Sequence, residues 1–345
     1  MIEELNRKLF QFIPRGRIKS LDILRGLAII AMTLPHQMYL FKIHQTLFGH
    51  QWFIAGAYYT RPLFIAVSGM ALVLSEKKIR WPFRIIVHGG VLFCMAWMID
   101  VIGHGSLQID WDIFQVIGAC YCIAGLLDYL NYGPKKLIWL ALLLSLWTFW
   151  PSMRPDTGLF PIWPNGFYFL GGYFFAKWGL SVYNRAWSAS LILIAGITYL
   201  IYFYVYCERA IPLSTNPHGI AASYALIYSL VTLSLFMENR HWFERFLPTL
   251  LMRFGQYPLS LYFSQQFVVV FGMKSGLRLV PSGIAYLDWA IQTSLLLSVM
   301  FAATFFFDRY PFFSMEFWLR KTESLITKAV ANTPFLGIPP ASKTT

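Results

Sequence analysis

Charged residues are scarce in this chain of 345 residues, and the scarcity excludes most soluble classes of protein. Asp, Glu, Lys and Arg make up 13% of the sequence, whereas a soluble domain carries about 25%. The four cysteines form no Cys-x-x-Cys pair and stand at no metal-ligand spacing from a histidine, so no disulfide scaffold and no metal site is predicted. Phosphate-binding glycine loops and HExxH or GxSxG motifs are also missing. With 57% hydrophobic and 18% aromatic residues, the composition predicts a membrane protein.

Positive charge is in excess, and its placement decides between two kinds of partner. Lys and Arg number 28 against 16 Asp and Glu, which gives a formal net charge of +12. In a soluble protein this balance would favour nucleic acid as a partner. Here the basic residues stand between apolar runs, and no polar segment carries Arg and Lys interleaved with aromatics. The charge therefore indicates membrane topology, and the expected partner is the lipid bilayer with no nucleic acid.

Apolar runs of roughly 16 to 24 residues recur along the chain, long enough for a helix to cross a bilayer. An open sheet would leave backbone groups unsatisfied in lipid, and barrel strands are only about 10 residues long. The predicted fold is all-α, a polytopic integral membrane protein with about ten transmembrane helices. The predicted spans are 21–41, 54–74, 83–102, 111–130, 136–151, 160–181, 187–206, 219–237, 248–273 and 285–307.

The distribution of Lys and Arg sets the predicted orientation. With the N-terminus in the cytoplasm, 21 of these residues fall on the inner side and 6 in outer loops, a bias that places both termini in the cytoplasm. The predicted organisation is a cytoplasmic segment (1–20), a transmembrane domain (21–309) and a cytoplasmic tail (310–345). Phe313, Phe317 and Trp318 in the tail can lie on the membrane surface as part of an interfacial helix.

The first predicted span contains three ionisable residues, which are costly in lipid and usually functional. Asp22 and Arg25 are three residues apart, so they share a helix face and are expected to pair. Arg25 and His36 are eleven residues apart, which places them on one face about 16 Å apart along the axis. Pro35 removes a backbone hydrogen bond beside the histidine and can bend the helix there.

This spacing suits a donor with phosphates in the cytoplasm and a reactive end inside the membrane, such as an acyl-CoA. Arg25 would meet phosphate or orient Asp22, and His36 would act as a general base or as a transient acyl carrier. Two alternatives remain open from the residues alone. The Asp22–Arg25 pair can merely anchor the helix end while His36 bonds a neighbouring carbonyl, or the three residues can form the binding site or proton relay of a transporter.

Three further polar residues lie in or beside apolar runs. Arg61 can hold an anionic acceptor, although an arginine that extends its charge from a helix end towards water is commoner. His88, beside Gly89 and Gly90, is expected to be a packed histidine near a close helix contact. Asn165 follows Trp163 and Pro164, where a broken helix would expose backbone groups, and is a candidate for contact with substrate.

Four segments, in chain order over most of the sequence, resemble the transmembrane acyltransferase superfamily. They are most similar to the bacterial branch of the heparan-α-glucosaminide N-acetyltransferase family. The first resembles its mark of Arg-Gly followed by His after ten intervening residues, matched by Arg25, Gly26 and His36. The segments are SLDILRGLAIIAMTLPH (20–36), RPLFIAVSGMALVL (61–74), FPIWPNGFYFLGGYFFAKWG (160–179) and FGQYPLSLYFSQQ (254–266).

The resemblance implies a bacterial inner-membrane acyltransferase of the O- or N-acetyltransferase type. Its co-substrate would be cytosolic acyl-CoA, taken to be acetyl-CoA, without a metal, and its acceptor a sugar or glycan on the extracytoplasmic side. It also implies a second histidine in the outer loop after the first span, for which His50 fits better than His44. In the animal enzymes an asparagine stands at the position of His36. A member that has lost activity and serves as an assembly partner is a third alternative.

The candidate site residues are therefore His36, His50 and Asp22 for catalysis, and Arg25 and Asn165 for binding of the donor. Arg25 together with Asp22 organises the donor end, and His36 is the leading catalytic candidate. The sequence predicts neither the acceptor nor the oligomeric state.

Overall fold

The computed structural model describes residues 19–42, 60–75, 82–104, 112–129, 162–176, 194, 196–198, 217–238, 246–275 and 284–331. Within these ranges the regular elements are helical and no strand occurs, which confirms the all-α class for the described part of the chain. The helices are α1 (Lys19–Leu40), α2 (Arg61–Ser75), α3 (Pro82–His104), α4 (Ile113–Tyr129), α5 (Ile162–Phe174), α6 (Pro217–Glu238), α7 (Phe246–Gln256), α8 (Pro258–Ser275), α9 (Ala285–Arg309) and, after a 3₁₀ turn at Pro311–Phe313, α10 (Met315–Ala331).

The prediction of one continuous span over 248–273 is wrong, because the structure has two helices there, α7 and α8, separated at Tyr257. Pro258 has no N–H group and disfavours helical backbone at the residue before it, so the first helix ends there. The Tyr257 hydroxyl donates to the Asp308 carboxylate of α9 at 2.6 Å. The predicted span 136–151 lies outside the described residues, as does nearly all of 187–206.

Only part of the predicted membrane topology has a counterpart in the structure. Among the described helices, Ala285–Arg309 is the one that is long and apolar enough to cross a membrane, since the hydrocarbon core requires about 20 residues of helix. The shorter apolar helical stretches are Arg61–Leu74, Phe83–Met98, Ile113–Leu126 and Ser223–Ser234. The ten-span topology therefore stays a prediction.

The chain divides into two compact units, one within Met1–Leu74 and Trp163–Tyr310 and the other within Ser75–Ile162 and Pro311–Thr345. In the first unit, α1 packs against α6, α7, α8 and α9. Its contact with α7 is a backbone contact, because a Cβ added at Gly26 would meet the Leu251 carbonyl and one added at Gly255 would meet the Asp22 carbonyl. The glycine of the Arg-Gly pair thus brings α1 directly onto α7.

Two of the motifs that carry the family resemblance meet in a second close contact, between α2 and α5. A Cβ at Gly69 would collide with the Phe169 carbonyl, and a Cβ at Gly172 with the Ala66 carbonyl. The Ser-Gly element of α2 and the Gly-Gly element of α5 are therefore two sides of one helix contact. Small residues at such positions are typical of helices packed at close range.

The second unit contains α3, α4 and the tail helix α10. Gly89 of α3 lies against Gly118 of α4, as expected for a close helix contact beside His88. The tail helix packs on α3 through Glu323, which is 4% exposed. Its carboxylate forms an ion pair with Arg84 and lies 2.8 Å from Nδ1 of His88.

This carboxylate of the tail helix has a shifted pKa. Burial alone would raise the pKa of the Glu323 carboxyl, but hydrogen bonds from His88 and Arg84 and their charges outweigh it. The net pKa lies below its ordinary value, so the carboxyl stays ionised. The tail thus forms a helix, as predicted, and whether that helix lies on a membrane surface stays a prediction.

Candidate functional site

Helix α1 is continuous from Lys19 to Leu40, with Pro35 inside it. The continuity keeps Arg25 and His36 on one face, about 16 Å apart along the axis. Asp22 lies about 21 Å from His36 along the same axis. Asp22 and His36 therefore cannot share one proton transfer, and the two ends of the helix are distinct parts of the candidate site.

The first end contains the pair that the spacing predicts. Nη1 of Arg25 lies 3.5 Å from Oδ1 of Asp22, which confirms the pair. Asp22 is 2% exposed, and Gly255 of α7 lies against its carbonyl. A guanidinium has five N–H donors, so an arginine paired with one carboxylate oxygen can still bind a phosphate group. The pair gives this end of α1 a positioned cation.

The second end joins α1 to α8 through polar side chains. Nε2 of Gln265, a fully buried residue of α8, is placed within hydrogen-bond distance of Nδ1 of His36. Oε1 of the same amide lies 2.6 Å from the Thr33 hydroxyl. The Thr33 hydroxyl is also 2.8 Å from the Ile29 carbonyl, one turn earlier in α1. His36 is thus held at Nδ1, which leaves Nε2 as the nitrogen that can meet a substrate.

A cation and a phenol belong to the same region of the first unit. Arg61, the first residue of α2, is near enough for its charge to act on both His36 and Tyr168. Tyr168 lies in α5 and its ring packs on Tyr224 of α6, with ring centroids 5.5 Å apart. Arg61 is therefore part of the electrostatic environment of the imidazole, and its role in holding an anionic acceptor stays a prediction.

A further layer of buried amides lies between α1 and α9. Nε2 of Gln292 lies 3.3 Å from Oε1 of Gln37, and both side chains are almost fully buried. The Trp289 indole N–H donates to the Leu34 carbonyl at 3.4 Å, beside Pro35. Thr33, Gln37 and Gln292 were not predicted from the sequence. Each is a polar residue in an otherwise apolar run, a pattern that many residues without a functional role share.

Three candidate residues from the sequence have less support from the geometry. Asn165 is buried in the first turn of α5, at 2% exposure, and interacts with other groups of the chain, so its contact with a donor stays a prediction. His50 and His44 lie outside the described residues, and their roles stay predictions too. Within the described ranges, no group of three or more His, Cys, Asp or Glu residues could hold a metal ion.

Comparison with known families identifies the amino-terminal half of the chain. A family model described as heparan-alpha-glucosaminide N-acetyltransferase, catalytic, matches residues 17–203, more than half of the sequence. The match includes Asp22, Arg25, His36, Arg61 and Asn165. Gln265 lies beyond its end. Among curated proteins, no match is found.

Proposed function

Because the chain belongs to the family of heparan-alpha-glucosaminide N-acetyltransferase catalytic domains, we propose that it is a membrane acyltransferase. It takes an acetyl group from cytosolic acetyl-CoA and transfers it to a sugar or glycan on the extracytoplasmic side. The observation that carries this proposal is the arrangement of α1, with a paired cation at one end and a positioned imidazole at the other.

The donor end of the proposed site is the Asp22–Arg25 pair. Asp22 orients the guanidinium, whose remaining N–H donors bind the phosphates of acetyl-CoA. The long pantetheine arm then follows the face of α1 that Arg25 and His36 share. This places the thioester near His36, about 16 Å away along the axis. In the proposed orientation, with both termini in the cytoplasm, the phosphates never leave the cytoplasmic side.

The transfer end combines His36 with Arg61. Nε2 of His36 takes the proton from the acceptor hydroxyl or amine while the acceptor atom attacks the thioester carbonyl. Negative charge develops on the carbonyl oxygen, where the Arg61 guanidinium can stabilise it. The tetrahedral intermediate then loses the thiolate of CoA, which receives the proton from His36. The products are acetylated acceptor and free CoA.

The remaining parts of the proposal rest on the resemblance. His50, with His44 as the alternative, is a second catalytic histidine on the outer side, and Asn165 contributes to the binding of the donor. The location is the bacterial inner membrane. Acetyl-CoA is the proposed co-substrate, without a metal, and transfer is to oxygen or nitrogen according to the acceptor.

The test measures acetyl-CoA binding and CoA release by purified protein in nanodiscs, with glucosamine as the acceptor probe. Arg25→Gln is expected to lose binding. His36→Ala is expected to keep binding but lower CoA release by roughly 100-fold or more, the usual contribution of a general base. Arg320→Gln, which removes an exposed charge of α10, is the matched control and should change neither.

One substitution needs a companion, since Arg25→Gln removes the cation that pairs with the buried Asp22 carboxylate. The double variant Asp22→Asn/Arg25→Gln removes the pair without leaving a buried charge. Binding retained in this double variant would contradict the role given to the donor end. CoA release unchanged in His36→Ala but lost in His50→Ala would move the base to the outer loop.

The rival function is transport, with Asp22, Arg25 and His36 as a binding site or relay. An enzyme releases CoA only when donor and acceptor are both present. A transporter exchanges substrate across the membrane without any acyl donor. Counterflow of an amino sugar in proteoliposomes, with no CoA release from any common acyl-CoA, would therefore replace the proposed function by transport.

A further inference from the structure

The hydrogen atoms around Gln265 can be assigned from the contacts of Thr33. The Thr33 hydroxyl has one hydrogen and two close oxygen neighbours, the Ile29 carbonyl at 2.8 Å and the Gln265 amide at 2.6 Å. The Ile29 oxygen can only accept. An amide can present either its oxygen or its NH₂ group to a neighbour at nearly the same atomic positions, and the network of hydrogen bonds decides which.

The two orientations of the Gln265 amide differ in how many contacts contain a hydrogen. If its oxygen faces Thr33, the single hydroxyl hydrogen goes to the amide, and two acceptor oxygens are left 2.8 Å apart at Ile29. If its NH₂ group faces Thr33, the hydroxyl donates to the Ile29 carbonyl and accepts from Gln265. A threonine inside a helix commonly bonds this carbonyl one turn back. Only the second orientation gives every contact one hydrogen.

The second orientation determines the tautomer of His36. The second orientation is the amide turned by 180° from its placement, in which Nε2 faces His36 and Oε1 faces Thr33. With its NH₂ group on Thr33, Gln265 presents its oxygen to Nδ1 of His36, and an oxygen accepts only from a protonated nitrogen. The proton of the neutral imidazole is therefore on Nδ1, and Nε2 has a lone pair. The hydrogen bonds run in one direction, from Nδ1 of His36 to Gln265, from Gln265 to Thr33, and from Thr33 to the Ile29 carbonyl.

We propose that Gln265, oriented by Thr33, is the positioning residue that keeps the proton of the neutral His36 imidazole on Nδ1 and leaves Nε2 as a lone-pair acceptor. This inference rests on the proposed function for its purpose, since an imidazole can take a proton from the acceptor only through a nitrogen with a lone pair. When Nε2 takes that proton, the cation keeps its N–H on Nδ1, which the Gln265 oxygen still accepts. No group has to turn during the transfer.

The opposite orientation would not support this chemistry. An NH₂ group facing Nδ1 would place the only proton of the imidazole on Nε2, where it would meet the acceptor as a donor. After proton transfer, two donors would face each other at Nδ1. The family match ends at residue 203, so this role of Gln265 comes from the contacts alone.

The test reads the tautomer and the reaction separately. Histidine is labelled with ¹⁵N in the full-length protein in nanodiscs, and the His36 signals are identified among the seven histidines as those lost in His36→Ala. The ¹⁵N shifts distinguish a protonated from an unprotonated ring nitrogen. CoA release from acetyl-CoA with glucosamine, and the Kd of acetyl-CoA, are measured on the same samples.

The variants change either the residue that contacts His36 directly, Gln265, or the residue that orients it, Thr33. Gln265→Met keeps the size of the side chain and removes both of its hydrogen bonds, and Thr33→Val removes the hydroxyl. Gln266→Met is the matched control, since Gln266 stands next in α8 and donates to the Tyr262 hydroxyl at 2.9 Å. Thr33→Ser restores the hydroxyl and should behave as the unchanged protein.

The expected result is protonated Nδ1 and unprotonated Nε2 for His36 in the unchanged protein, Gln266→Met and Thr33→Ser. In Gln265→Met and Thr33→Val the Nε2-protonated form should appear, with CoA release slower by roughly 10- to 100-fold and the Kd unchanged. A proton on Nε2 in the unchanged protein, or a tautomer that Gln265→Met does not alter, would overturn the inference. The expected tautomers without any CoA release would uphold it and instead contradict the proposed function.

Discussion

His36 and His88 both lie in apolar helices, but their side chains have different kinds of partner. Nδ1 of each is held by one side chain from a helix distant in sequence, Gln265 for His36 and Glu323 for His88. The partner of His36 is a neutral amide, itself held by a hydroxyl. The partner of His88 is a carboxylate that also binds Arg84.

The difference lies in what each partner contributes, since a carboxylate at Nδ1 does not by itself prevent a histidine from acting as a base. In the second unit, the carboxylate has two cationic or cation-forming partners on α3, so these interactions hold α10 against that helix. In the first unit, the amide brings no charge, and it orients the imidazole without balancing a positive charge on it. The presence of a histidine in an apolar run therefore does not identify a site, and its partners and surroundings have to be known as well.

The largest expected effect compares the same substitution at the two histidines. His36→Ala should lower CoA release by about 10² to 10⁴-fold, because a general base is lost. His88→Ala should leave release within about twofold, since the change affects how α10 is held and not the proton transfer, and its cost should appear as a lower melting temperature in nanodiscs. Equal losses of CoA release in the two variants would remove the distinction between them.

The second prediction concerns the carboxylate that holds the tail helix. Glu323→Gln should lower the free energy of unfolding by about 2.5 kcal/mol at neutral pH, because it weakens hydrogen bonds to a charged group. The loss is limited because the Arg84 side chain is 46% exposed and its charge stays solvated. The unfolded carboxyl takes up its proton at a higher pH than the folded one, whose pKa is lowered. The stabilisation is therefore complete above the ordinary pKa of 4.5 and is lost as pH falls through the lower, folded value.

Thermal unfolding measured from pH 6 down to pH 3 tests this sign. The melting temperatures of the unchanged protein and of Glu323→Gln should converge as the pH falls below 4.5. Gln265→Met is the control, since it adds and removes no charge, and it should keep the acid response of the unchanged protein. A gap between Glu323→Gln and the unchanged protein that widens towards low pH would contradict the assignment.

The smallest expected effect concerns two adjacent glycines beside His88. A Cβ at Gly89 would lie 2.5 Å from the Gly118 carbonyl and 2.7 Å from the Cys122 backbone nitrogen, whereas nothing lies within 4 Å of a Cβ at Gly90. Gly89→Ala should therefore destabilise the protein by roughly 2 kcal/mol through overpacking. Gly90→Ala should be neutral or stabilise it by up to about 1 kcal/mol, since alanine favours a helix.

Chemical or thermal unfolding of the two glycine variants provides the measurement. Opposite signs at neighbouring positions would establish that α3 and α4 touch through their backbones. The same sign at both positions would mean that helix propensity, and not the contact, decides the effect. Neither variant should change the tautomer of His36.

The spacing of residues along the sequence predicted much of α1. The contacts of its side chains with distant helices could not be predicted in this way. The Asp22–Arg25 pair follows from a separation of three residues on a helix, and it is confirmed. The division at Tyr257 was missed, although Pro258 marked it, because the apolar run continues across the proline. His88 was expected to be packed, and its partner Glu323 could not be predicted, since the two are 235 residues apart.

The amino-acid sequence by itself determined the apolar composition, the helical class and the alignment of Arg25 with His36, because these depend on residue type and on the period of one helix. Only the tertiary structure decided which nitrogen of His36 can act as a base. That choice depends on the orientation of the Gln265 amide, 229 residues away. The single hydroxyl hydrogen of Thr33 sets this orientation. A contact between distant segments has no period in the sequence, so the fold has to bring the amide to the imidazole before their chemistry is defined.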